Sequence, residues 1–140
     1  MATNSVTSTP VSNTTRMKQR TGFTLIELLV VMAIIAVLLT LAVPRYFGSL
    51  SRAREAVLKE DLFQMRDALG KYYGDKGKYP DTLQTLTAEN YLRGIPVDPI
   101  TDSASTWVSV PSPDPDKSGV FDVKSGAQGS GSDGTAYSSW

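Results

Sequence analysis

The order of apolar and polar positions divides the chain into stretches with different periods. Residues 1–22 are polar, and residues 1–15, rich in Ser, Thr and Asn with Pro10, are expected to be disordered. The twenty residues from Phe23 to Ala42 are apolar, and Glu27 is their only charged side chain. At ~1.5 Å per residue, a helix of that length spans a hydrocarbon core of about 30 Å. Pro44 then removes a helical N–H and is expected to break or kink the segment. Beyond it, Leu58, Leu62, Met65, Leu69 and Tyr72 recur at steps of four, three, four and three. That spacing draws one apolar stripe along a helix, the side that packs on a core. Arg52, Arg54, Glu55, Lys59, Glu60, Asp61, Arg66 and Asp67 mostly cover its other faces. Gly74 and Gly77 are expected to end it, with Lys71, Lys76 and Lys78 near the negative end of the dipole.

The period changes again in the last third. Lys78 to Leu86 reads as a turn and a short helix, with Asp81 or Thr82 as cap and Leu83 and Leu86 facing inward. Tyr91 to Pro99 is extended and limited by proline. Residues 106–110 and 119–125 alternate as strands, joined by the proline-rich stretch 111–118. A small antiparallel sheet against the helical stripe is the result expected. The tail from Gly126 to Ser139 is rich in Gly and Ser, yet Tyr137 and Trp140 are aromatic anchors that can pin it back. The fold class is therefore α+β.

Charge sharpens the amino-terminal boundary. Arg16, Lys18 and Arg20 flank the apolar run, and residues 1–22 contain no acid. A positive flank of this kind stays cytoplasmic when a helix inserts. A secretory signal would have a shorter apolar core with its cleavage site after it. Here the apolar run is longer and its glycine, Gly22, comes first; an uncleaved signal anchor is the plain alternative. Glu27 is the residue that a simple anchor does not need. A lone carboxylate in a bilayer costs on the order of a few kcal/mol toward the centre and less near the interface. It calls for a cation, or else it reaches headgroup water.

Composition removes other classes. The chain has 140 residues with 14 basic and 14 acidic side chains, and neither cysteine nor histidine. Disulfides, thiolate nucleophiles and the usual zinc or haem ligands are excluded, and the commonest general acid–base residue is missing. No enzyme is expected. Without residues 1–22 there remain 11 basic and 14 acidic groups, and no basic cluster follows that suits nucleic acid. About 65–70 residues after the helix suffice for one small head.

Gly22-Phe23-Thr24-Leu25-Ile26-Glu27-Leu28-Leu29-Val30 resembles the processing site of the type IV prepilin family, which includes the pseudopilins of type II secretion. Gly77-Lys78-Tyr79-Pro80, followed by Tyr91 to Pro99, is similar to the major (G-type) pseudopilins. The resemblance implies a type IV pilin-like fold, a long helix packed on a small sheet. It divides the chain into a leader (1–22), a transmembrane and filament-core helix (23–44), an amphipathic stem (45–73) and a head (74–140). It further implies cleavage between Gly22 and Phe23 by a prepilin peptidase, N-methylation of Phe23, and assembly through Glu27 paired with the Phe23 amine of a neighbouring copy. Expected partners are further copies, minor pseudopilins, the peptidase, an inner-membrane assembly platform and, before assembly, lipid. The head would lie in the periplasm and the amino terminus in the cytoplasm. The alternatives are a surface type IV pilin for adhesion, motility or DNA uptake, and a membrane-tethered ligand-binding module. Many such pilins carry a carboxy-terminal disulfide loop, which this chain cannot form.

The same resemblance implies calcium in the loop after the last strand. Ser132 and Asp133 are the candidate ligands in residues 125–134, although Gln128 stands where the family usually has an aspartate. Ca²⁺ takes 6–8 oxygens and favours carboxylates. A second candidate is Asp114 to Gly119, which echoes the start of an EF-hand loop. Asp122 follows at a compatible position, and Ser125 stands where the bidentate glutamate belongs.

Overall fold

The computed structural model describes residues 1–12 and 21–140. The basic flank expected at Arg16, Lys18 and Arg20 lies outside the described residues. Contacts group the chain into two compact units, Met1–Leu39 and Thr40–Trp140.

The principal element is helix α1, Leu25–Lys76. It starts at a reciprocal pair of hydrogen bonds. The Glu27 N–H donates to Thr24 Oγ1 at 3.2 Å, and the Thr24 N–H donates to Glu27 Oε2 at 3.5 Å. This is a capping box, which satisfies two backbone donors that a helix start would otherwise leave open. Helix α1 runs unbroken through Pro44, so of the two outcomes expected there, break or kink, the break does not occur. One missing donor removes one rung from a 52-residue element, whose turns on both sides keep theirs. Nor does Gly74 end it. The terminus falls at Gly77, whose φ of +69° glycine adopts without strain, and the Gly77 N–H closes the last turn on Tyr73 O at 2.8 Å.

Residues 40–140 have a single core. Leu58, Leu62, Met65, Leu69 and Tyr72, the expected stripe, are all buried, together with Ala68. They form one cluster with Leu83, Leu86, Trp107, Val120, Val123, Ala127 and Tyr137. Burying each large aliphatic side chain contributes about 1.5–3 kcal/mol, so this seam is what holds the head to its stem. Glu55 departs from the expectation. It continues the stripe one step toward the amino terminus and is buried, at 6% exposure, instead of lying on a polar face.

Helix α2, Leu83–Ala88, buries Leu83 and Leu86 as expected. Its capping differs. Thr82 holds the N-cap position with extended backbone, but its hydroxyl meets Thr85 Oγ1 at 3.3 Å instead of a backbone N–H, and Asp81 caps nothing. Tyr91 ties the following loop to the end of α1: its hydroxyl donates to Asp75 Oδ2 at 2.7 Å. That bond, with burial, pushes the phenol up to about 12.

Strands β1, Val108–Pro111, and β2, Val120–Lys124, pair antiparallel, with Val108 opposite Lys124 and a register shift at Val110/Pro111. Pro111 has no N–H for the ladder, so pairing loses register there. Val120 and Val123 face the core from β2. The Trp107 indole, at the entry to β1, is buried and donates to Pro96 O at 2.7 Å. After β2 the Gly/Ser-rich tail ends in a 3₁₀ turn, Tyr137–Ser139, with Tyr137 buried and Trp140 half-buried against the core.

Candidate functional site

Gly22 and Phe23 lie in a non-helical, exposed stretch immediately before α1. A peptidase needs an accessible, non-helical peptide, and residues 21–24 are of that kind. A Cβ built at Gly22 meets nothing within 4 Å, so packing within the fold does not account for glycine there. Phe23 is 86% exposed. Four residues further on, the Glu27 side chain accepts the Thr24 N–H. Removal of residues 1–22 leaves Thr24 as the second residue, so the capping box does not depend on the leader.

Sequence reasoning missed the role of Thr24. The signal was present, since T-x-x-E before an apolar run is a capping-box signature. Its consequence is chemical. The box fixes the carboxylate at the amino-terminal end of α1, where the helix dipole favours negative charge, and supplies an internal donor.

Every residue from 21 to 54 is exposed in the chain alone. The apolar run is thus a helical surface with Leu, Ile and Val on all sides, and one span among the described residues is long and apolar enough to cross a membrane. A contiguous apolar surface of this extent marks contact with lipid or protein. Pro44, expected near this site as a break, lies within the continuous helix.

At the opposite end of the chain, the residues expected to hold calcium do not assemble a cation site. The Ser132 hydroxyl donates to Glu55 Oε2 at 2.6 Å, and its N–H donates to Glu55 Oε1 at 2.9 Å. Asp133 Oδ1 accepts from the Thr135 hydroxyl at 2.6 Å and the Thr135 N–H at 2.9 Å, while Oδ2 faces Lys59 at 3.8 Å. These bonds and the Lys59 ammonium hold the Asp133 carboxyl below its ordinary value, the Thr135 hydroxyl contributing most. Among the described residues, no three Asp, Glu, His or Cys side chains gather at one place. The second candidate loop is likewise given other partners. Asp114 Oδ1 accepts the Asp116 N–H, Asp122 Oδ1 accepts from Arg66 Nε at 2.8 Å, and the Ser125 hydroxyl donates to Asp98. The donor sets present do not fit Ca²⁺ at either place.

The chain's amino-terminal residues 17–43 match the Prokaryotic N-terminal methylation motif, which places it among proteins with a prepilin-type amino terminus. Similarity extends well beyond that motif. The chain is 35% identical to the Type II secretion system core protein G of Pseudomonas aeruginosa, over 59% of this chain and 69% of that protein. It is 33% identical to the protein of the same name from Klebsiella pneumoniae, over 59% of this chain and 71% of that one. For the Escherichia coli K12 protein the figures are 35%, 59% and 67%. This chain belongs to the type II secretion system core protein G family. No solved structure matches it.

Proposed function

We propose that the chain is made as a prepilin, cut between Gly22 and Phe23 by a prepilin peptidase, methylated on the Phe23 amine, and polymerised as the major pseudopilin of a type II secretion system. Its role is structural, not catalytic. Before assembly the apolar half of α1 crosses the inner membrane with its amino end toward the cytoplasm and the head in the periplasm. Afterwards the same surface is covered by the helices of other copies. Minor pseudopilins and an inner-membrane platform are the further partners this reading requires.

One observation carries the proposal: an apolar helical surface exposed on all sides, with a single carboxylate fixed by Thr24 at its start. Magnitudes favour pairing of that carboxylate in the polymer. Placing it in a bilayer costs about 2.5–3.5 kcal/mol at the centre and less near an interface. An ammonium at 4 Å returns about 4 kcal/mol at an effective dielectric constant of 20. The amine released at Phe23 of a neighbouring copy is such a cation, and it exists only after cleavage. Processing would thereby license assembly, and each added copy would be set in register by its partner's charge.

Mass spectrometry of the protein extracted from membranes tests this directly. The expected species begins at N-methylated Phe23. A chain that retains Met1 in cells with an active prepilin peptidase would falsify the proposal.

A further inference from the structure

The Gly/Ser-rich tail has the composition of a linker, but the structure fastens it at three points. At its start, the Ser125 hydroxyl donates to Asp98 Oδ2 at 2.6 Å, with both residues buried. Asp98 Oδ1 is occupied in turn by the N–H groups of Ile100 and Thr101, at 2.8 and 3.3 Å. In the middle, Glu55 receives the hydroxyl and the N–H of Ser132, and the Tyr137 hydroxyl at 3.3 Å. At its end, Arg66 donates to Trp140 O at 2.8 Å, while its other donors reach Asp122 Oδ1 and Val123 O. A Cβ added at Gly131 would collide with the Trp140 ring, so the strap is fitted to the residue that closes it.

We infer that the carboxy-terminal strap, residues 125–140, is closed directly by Asp98, Glu55 and Arg66 without a divalent cation, so that the head of this chain folds and keeps its shape independently of calcium. A cation in the strap would need several oxygens free to converge on one point. Here the two candidates turn to different partners: the Ser132 hydroxyl lies against Glu55, while Asp133 Oδ1 accepts both Thr135 donors and Oδ2 faces Lys59. Glu55 does the converging instead, and it does so from α1. Three donors converge on one buried carboxylate from a segment 77–82 residues away in sequence. Hydrogen bonding from the Ser132 hydroxyl, the largest influence, holds that carboxyl below its ordinary value against the opposing pull of burial. The inference concerns the folded head and is independent of how the amino terminus is processed.

The test is thermal unfolding of the full-length chain in detergent, read by the fluorescence of Trp107 and Trp140, with calcium chloride or with a chelator. The wild type should melt at the same temperature in both. Glu55→Gln replaces the anionic acceptor and should lower Tm by roughly 5 °C or more. Asp133→Asn keeps an oxygen for Thr135 and should change Tm by no more than about 1–2 °C. A calcium-held strap gives the reverse pattern. Chelation would then lower the wild-type Tm by several degrees, and Asp133→Asn would be at least as damaging as Glu55→Gln; either result overturns the inference. Where Glu55→Gln fails to fold, Ser132→Ala supplies the milder arm: a lowered Tm that calcium does not restore supports the clasp, and restoration by calcium sinks it.

Discussion

Leu38 and Leu58 are the same side chain on the same helix, yet Leu38 is 60% exposed and Leu58 is sealed at 0%. The first belongs to a stretch that is apolar on every face; the second lies on a stripe flanked by charges. A helix with a stripe can be satisfied within its own chain, because one face meets the head and the others meet water. A helix that is apolar all round cannot. It requires lipid or other helices, so its contacts are necessarily made outside the monomer. The two halves of α1 therefore divide the labour: the carboxy-terminal half stabilises the fold, and the amino-terminal half is reserved for membrane and assembly.

The sharpest way to break this division is Glu27→Ala. The residue is exposed and its hydrogen bonds are confined to Thr24, so the head should melt unchanged. Assembly should nevertheless fall by at least about tenfold, the equivalent of about 1.4 kcal/mol lost at each subunit contact. Cross-linking of filaments in the membrane fraction measures it. Normal polymer yield from the variant would mean that the carboxylate does not place the incoming subunit.

A matched pair of truncations follows in size. Leu62→Ala, in the core, should lower the stability of the head by about 2–4 kcal/mol through lost burial and a residual cavity. Ile34→Ala, at a position 54% exposed, should leave head stability within about 0.5 kcal/mol. Urea unfolding of the detergent-solubilised chain reads both. Equal effects from the two would show that the apolar half supports the fold after all.

These contrasts show what was legible before the structure. Periodicity located the long helix, the stripe, the short helix and both strands, because each rests on apolar side chains repeating at a fixed interval. Polar anchors were harder. Glu55 sits three residues before Leu58, in phase with the stripe, but charge assigned it to water; only the distant Ser132 and Tyr137 reveal why it is buried. The composition of the tail marks a glycine-rich loop with aromatic pins, and its three polar fastenings carry no local signal. Pro44 and Gly74 misled for a common reason. Both weaken a helix locally, yet neither outweighs the turns that flank it in a 52-residue element.

A smaller effect separates a fork of donors from a simple charge. Arg66 serves Asp122, Val123 O and Trp140 O at once. Arg66→Lys keeps the charge but cannot reach all three in the same plane. At 39% side-chain exposure its discounted effect is about 1 kcal/mol. The loss should appear in Trp140 fluorescence at lower urea than global unfolding, whereas coincident transitions would show that the strap and core unfold together.

The smallest expected effect has the opposite sign, and pH exposes it. Burial, and then the nearby charges of Asp98 and Glu60, raise the Asp61 carboxyl above its ordinary value of 3.8. A raised folded-state value means that ionised Asp61 opposes folding: the stability its protonated form contributes is complete below 3.8 and is lost as pH rises through the folded value. Asp61→Asn should therefore raise Tm modestly at neutral pH, with the gain shrinking toward zero in acid. Glu55, held below its ordinary value, works the other way: its contribution is present above the unfolded value and disappears as pH falls through the folded one. Melting curves of Asp61→Asn and wild type across acid to neutral pH should converge at the acid end. Curves that stay parallel throughout would assign the gain to something other than the charge on the stem.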